Sequence, residues 1–393
     1  MNNSNKIYIW HRIREFIYLI LLFGYLWLNL YNSSWMHLSD IIPRFDELTL
    51  FSETVIIPAL LAILYLLNLI FSHNDRNILL VVQQILIVAA FAVVSIEHPD
   101  LLPLGLFIIC AHFSSFKKIA VVSSFVIAVT TLAVIIASQY GWTVDMTVKR
   151  FKNTATAHYF GFGHYAIWAR QLLFAAAAYL YSRGKKVTVV EIGLLAVLNY
   201  IVYYFSTQRL TYYTGMIMLI VFLVFVKFEI IRINNKFITF LSTAAFPVTF
   251  AFSVALHYFY DKSVPVMAKL NKLLSTRLQL GKQAFEMFDI KLFAQQVHEI
   301  TDFYFYIDCG YLYLLFAKGI VLTIIVMFMY SYIYRYSCKT NNTALFAWIT
   351  VALIYLIVDN TATNINCTAI VLLAYFICFK ENSKNKSIID KDS

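Results

Sequence analysis

The residues of this chain best suited to chemistry are a few arginines, one aspartate and two histidines set in an otherwise apolar sequence. Arg209 stands in a short turn between two apolar runs, and Arg277 lies among leucines. A guanidinium binds phosphate oxygens in pairs through its planar fork, so these two could clamp a phosphorylated ligand and hold charge developing on a leaving group. Asp308 enters an apolar stretch, where it could act as a base or orient a hydroxyl, or could simply cap a local turn. His164 opens another apolar run and could hydrogen-bond a polar ligand, with His158 and Arg150 a little upstream. Arg170 lies well inside that run, and intramembrane charge is rarely idle. An ion pair with Asp359 and a place in a ligand cavity are both open to it. Tyr203, Tyr204, Tyr212 and Tyr213 flank Arg209, and Tyr311 follows Asp308.

Other patterns carry no such chemistry. There is no H-E-x-x-H, and the nine histidines lack metal-ligand spacing, so the expected metal set is none. Gly161-x-Gly163 has neither the strand nor the phosphate loop of a dinucleotide fingerprint, and no cofactor is expected. The Asp-x-Asp at Asp390–Asp392 falls in a charged terminal tail. Cys110, Cys309, Cys338, Cys367 and Cys378 form no C-x-x-C pair and read as small apolar fillers.

Composition decides which elements must position these groups. Of 393 residues, 61% are hydrophobic and 13% charged, with a mean hydropathy of +0.72. A soluble domain runs near 45–50% apolar and about 25% charged. This chain has too little polar surface to wrap itself in water. It reads as an all-α polytopic membrane protein, because lipid leaves backbone amides no partner but their own helix.

Twelve apolar runs have the length or character of spans: 15–31, 52–72, 78–96, 101–115, 119–139, 163–181, 187–205, 211–226, 237–257, 319–334, 343–358 and 365–379. The first follows Arg12 and Arg14 without a small-residue cleavage site, so it is expected to stay as an anchor. With the N-terminus inside, 18 of the 31 Lys and Arg residues stand in 59 inner positions and 12 in 119 outer ones. That bias places both termini in the cytoplasm, with 380–393 as a solvated tail. The whole of 1–393 reads as one integral membrane domain.

The two long outer segments, 140–162 and 258–318, hold most of the outer cations. Long ordered loops are often functional. A cationic outer cavity suits an anionic ligand, although lysines in long loops also translocate regardless of charge or touch anionic headgroups. Within the second loop, Val266–Leu280 has helical spacing, with Met267, Leu270, Leu273, Leu274 and Leu278 on one side. Pro265 and Gly281 are its expected boundaries, and it is expected to lie along the outer interface. His298, Glu299 and Asp302 read as loop surface.

Several stretches resemble one family. Asn271, Leu273, Leu274, Ser275, Arg277 and Leu278 follow the N-x-L-L-S-G-R-L run of Gram-positive Wzy-type repeat-unit polymerases. Leu292, Phe293 and Gln295 follow its L-F-G-Q, and Asp308, Tyr311, Leu312 and Gly319 its D-N-x-Y-L before a glycine. "FGFGHYA" (Phe160–Ala166) resembles the family's G-F-x-H-P-N, and "STQRL" (Ser206–Leu210) its Ser-Arg-Thr element. Departures are Thr276 and Ala294 for glycines, Cys309-Gly310 for asparagine and a small residue, and Tyr165-Ala166 for Pro-Asn. The arginine before G-F is missing, with His158 near its place and Arg150 the closest cation.

The resemblance implies a GT-C-like membrane fold of about 12 helices shared with O-antigen polymerases and ligases. It implies transfer of oligosaccharide from undecaprenyl pyrophosphate on the outer face of a bacterial plasma membrane, building capsular or exo-polysaccharide. Arg209, Arg277 and Asp308 would be the catalytic set, and His158, His164, Arg150, Arg170, Tyr213 and Tyr311 the substrate contacts. Partners would be the lipid-linked oligosaccharide, membrane lipid, a flippase and a chain-length regulator, with no nucleic acid. An O-antigen-ligase-like enzyme shares the donor and stays open, as does a lipid-linked oligosaccharide flippase. A flippase should carry its charges in mid-helix, whereas here they gather on the outer side.

Overall fold

A computed structural model describes residues 3–36, 38, 42–71, 78–150, 155–229, 232–297 and 306–375. The expected tail 380–393 and the cluster His298, Glu299 and Asp302 lie outside these. A helix sits on each of the twelve apolar runs. They are α1 (Asn3–Asn32), α2 (Phe45–Phe71), α3 (Ile78–Ser95), α4 (Leu101–Phe113), α5 (Phe116–Gln139), α6 (Tyr165–Arg183), α7 (Val189–Ser206), α8 (Arg209–Lys227), α9 (Lys236–Tyr258), α12 (Gly310–Lys339), α13 (Thr343–Leu356) and α14 (Ile365–Thr368), the last continued by a 3-10 turn. Eight of these twelve helices, all but α4, α6, α13 and α14, are long and apolar enough to cross a membrane. The protein is an all-α polytopic membrane protein.

Burial sorts these helices into centre and rim. About two thirds of the most apolar window of α12 is buried, against 17% for α3, α7 and α9. Trp348, Tyr355 and Tyr330 are fully enclosed on α13 and α12. Val190, Leu194 and Tyr204 on α7 and Phe240 and Phe252 on α9 are instead exposed. In lipid such faces need no cover, because acyl chains are as apolar as the side chains.

The connections gather in two groups. At one end, Trp35 N donates to Gly161 O, Gln296 Nε2 to Glu97 O and His98 Nε2 meets Ala317 O. At the other, Glu15 takes Ser114 and Lys118, Lys185 pairs with Glu229, and Ile233 N donates to Asn341 Oδ1.

The two long loops are more structured than expected. Segment 140–162 contains an antiparallel hairpin, β1 (Thr147–Arg150) paired with β2 (Ala155–His158), Arg150 facing Ala155. Asp145 anchors it, accepting from Phe160 N at 2.8 Å and meeting His158 Nδ1 at 2.7 Å. The single helix expected over Val266–Leu280 is two: α10 (Pro265–Leu273) and α11 (Arg277–Met287). Ser275 and Thr276 between them have positive φ, 56° and 68°. The reason is Asn271, buried on the side read as apolar, which donates to Tyr260 Oη and accepts from Gln279 N. One buried asparagine thereby staples two helices across a turn. Gly281 is no boundary; it lies inside α11, where a Cβ would run into the His257 ring.

The run expected to span from 319 is helical from Gly310, through a π-helical turn at Leu314–Lys318, and breaks at Gly319 (φ 83°). Segment 291–295 lies across that break. Its carbonyls at Lys291 and Leu292 cap Ile320 N and Val321 N, while Gln295 N donates to Ala317 O.

Candidate functional site

Arg277 opens α11, immediately after the strained turn, and its guanidinium is fixed by backbone. Nε donates to Val358 O and Nη1 to Leu274 O, each at 3.2 Å. Asp308 Oδ2 lies 3.3 Å from Nε, bringing together two groups 31 residues apart in sequence. None of these three contacts uses Nη2. Asp308 is half-buried. Burial raises its pKa above the ordinary carboxylate value, Arg277 opposes that and Asp359 adds to it.

Around this pair stand the other cations. Arg170 Nη1 bonds both oxygens of Asp359, at 2.8 and 3.0 Å, so the ion pair weighed from sequence is formed. Arg150 hydrogen-bonds the Tyr165 hydroxyl, with its guanidinium 4.7 Å from the ring centre. His164 is the cap ahead of α6, and its Nδ1 accepts from Ala166 N at 3.2 Å. The charges of Arg170, Arg150 and Arg277 all lie near enough to act on its ring. An imidazole whose Nδ1 accepts a backbone N–H carries its proton on Nε2, so His164 offers a ligand a hydrogen-bond donor there. Phe160 and Gly161, with φ of 46° and 79°, turn the chain into this cap.

Arg150, His164, Arg170, Arg277 and Asp308, drawn from four distant segments, thus form one cluster. Other predicted residues stand apart from it. Arg209 begins α8 on the surface. Two residues on, Thr211 Oγ1 is 2.5 Å from the buried Tyr355 Oη, which places Arg209 on the rim of the same end. Tyr213 is exposed and packs on Tyr212. His158 is tied to Asp145 as a hairpin anchor. Tyr311 is fully enclosed, its hydroxyl 2.7 Å from Thr249 Oγ1, so it packs the core instead of facing a ligand.

Apart from Asp359, sequence reasoning passed over the connection after α13, "DNTATNIN" (Asp359–Asn366). It supplies Asp359 to Arg170, and the carbonyl just before it, Val358 O, to Arg277. The signal was a polar run, with a single charge at Asp359, between two apolar ones, which lipid would not tolerate without enclosure. Gln295, matched to the family's L-F-G-Q, is likewise a latch: its Nε2 donates to Asp289 O and Phe316 O. Among the described residues no three His, Cys, Asp or Glu side chains gather as a metal set.

No family model matches this chain, and no curated protein or solved structure matches it either.

Proposed function

We propose that this chain is a membrane glycosyltransferase of the Wzy type, which joins oligosaccharide repeat units carried on undecaprenyl pyrophosphate. In this reading the fold is GT-C-like, with about 12 spans and both termini in the cytoplasm of a bacterium. A flippase and a chain-length regulator would be partners. The observation that carries it is the Arg277–Asp308 pair, 3.3 Å apart and ringed by Arg150, Arg170 and His164 at one end of an apolar bundle.

Such a cluster suits a donor with a charged leaving group and a neutral acceptor. Arg277, positioned by two backbone carbonyls, is aimed without side-chain freedom to lose, so its remaining N–H groups are preorganised for pyrophosphate oxygens. A pyrophosphate taking that guanidinium competes with Asp308 for it. The carboxylate, released from its counter-ion, then becomes the stronger proton acceptor for an incoming sugar hydroxyl. His164 would donate from Nε2 to a sugar or phosphate oxygen. Arg209 on the rim would meet the donor as it arrives.

Deleting the protein in its host should leave single lipid-linked repeat units and abolish long chains. Normal polymer lengths would defeat this reading and favour ligation or transport.

A further inference from the structure

A second polar cluster lies apart from the Arg277–Asp308 pair, where α1, α2 and α14 meet. Glu53 is 5% exposed and sits on a π-helical turn, Ser52–Ile56, within α2. Its two oxygens accept from Asn29 Nδ2 at 2.5 Å and Asn32 Nδ2 at 2.6 Å, both on α1. Two donors, one to each oxygen, are what an ionised carboxylate asks for. Among the described residues no lysine, arginine or histidine pairs with it. Asp100 is near enough to repel it, and the buried Lys318 faces Asp100, 3.9 Å away. Tyr25 donates to the Asp100 carbonyl, and Asp46 is held by Tyr31. A buried charge without a counter-ion is costly, and proteins neutralise it with a partner ion or a proton.

The direction of the amide chain shows where a partner would go. Glu53 takes the Asn29 NH2, so the Asn29 carbonyl must receive a donor, and Asn366 Nδ2 of α14 supplies it. That leaves Asn366 Oδ1, in a residue 1% exposed, with no hydrogen-bond partner among the described residues. An unfilled carbonyl oxygen, one carboxamide from an uncompensated carboxylate, is a ligand set for a hard cation. One negative charge among neutral amides suits a single positive charge, whereas divalent ions favour several carboxylates.

We infer that Glu53, Asn29 and Asn366 hold a monovalent cation, sodium or potassium, between α1, α2 and α14. The ion compensates Glu53 and ties the N-terminal helices to the connection that carries Asp359. This site is independent of the glycosyl-transfer reading above.

The test is thermal unfolding of the purified full-length protein in lipid nanodiscs, with NaCl or KCl replacing choline chloride at constant ionic strength. A bound ion raises the midpoint saturably with its concentration. That rise should vanish in Glu53→Gln and persist in Glu47→Gln, an exposed carboxylate on the same helix. Asn366→Ala removes one ligand and keeps the charge, so its half-saturating concentration should rise about tenfold. A wild-type midpoint indifferent to cation identity overturns the site, as does a dependence surviving in Glu53→Gln. A midpoint that responds only to pH, in choline alone, assigns the compensation to a proton and also overturns it. If Glu53→Gln does not fold, an unchanged half-saturation in Asn366→Ala decides against the site.

Discussion

Arg277 owes its expected importance to shape as much as to charge. Its Nε and Nη1 are spent on Val358 and Leu274 carbonyls, which aim the rest of the fork. Lysine has no fork and cannot make both anchors, so Arg277→Lys should lose most polymerisation while inserting normally. A charge-assisted bond is worth about 1.5–3 kcal/mol, roughly a tenfold to hundredfold fall in rate if it acts in the transition state. Lys269→Gln, an exposed lysine on α10, should change little, since salt screens such charges. Equal losses in both variants would reduce the clamp to a diffuse field. Asp308 makes a second prediction, through pH. Its folded pKa is raised by burial, so its protonated form is favoured by folding, and that contribution is lost as pH rises through the folded value. Asp308→Asn should therefore keep or raise the thermal midpoint at neutral pH while abolishing turnover. In the wild type, the acid limb of the pH–rate profile should lie above the ordinary aspartate range. A collapse of the midpoint in Asp308→Asn would make this residue structural.

At the scale of elements, two joints hold the site. The first is Asn271, whose side chain links α10, α11 and Tyr260. Asn271→Leu strands the Gln279 N–H and the Tyr260 hydroxyl, and leaving buried polar groups unmet costs about 1–3 kcal/mol. Arg277 opens the helix so anchored, so activity should fall with stability, and protease sites near Ser275 should open. The second is Gly319. Its φ of 83° and the Phe293 backbone, 2.5 Å from any Cβ, leave no room for alanine. Gly319→Ala should release segment 291–295 from the helix break, read as faster cleavage there, with a cost of about 1–3 kcal/mol from a backbone conformation (φ 83°, ψ 168°) that is essentially glycine-only. Neither joint was legible as such. Asn271 stands within an apolar-looking repeat, and Lys318–Gly319 reads equally well as the edge of a span or the middle of one.

For the whole molecule, the alternation of connections between two ends makes a topology experiment decisive. A reporter inserted at 184 should read cytoplasmic and one at 283 extracytoplasmic; the same side for both would end the twelve-span arrangement. What the sequence determined by itself is the solvent and the elements. Hydropathy is a local property, and in lipid each segment must satisfy its own backbone, so a helix sits on every apolar run, although the first starts at Asn3 instead of 15 and the tenth at Gly310 instead of 319. The cationic loops were also legible, because charge excluded from a membrane can only gather outside it. What the tertiary structure decided is the pairing of polar side chains: Arg170 with Asp359, Arg277 with Asp308 and Val358, Glu53 with Asn29 and Asn32. Inside an apolar bundle a polar group is satisfied by whichever distant segment packs beside it. The partners here lie up to 189 residues apart, where no periodicity reaches. For the same reason Tyr311, read as a ligand contact, turned into the core, and the polar run from Asp359 to Asn366 became the hub of both polar clusters.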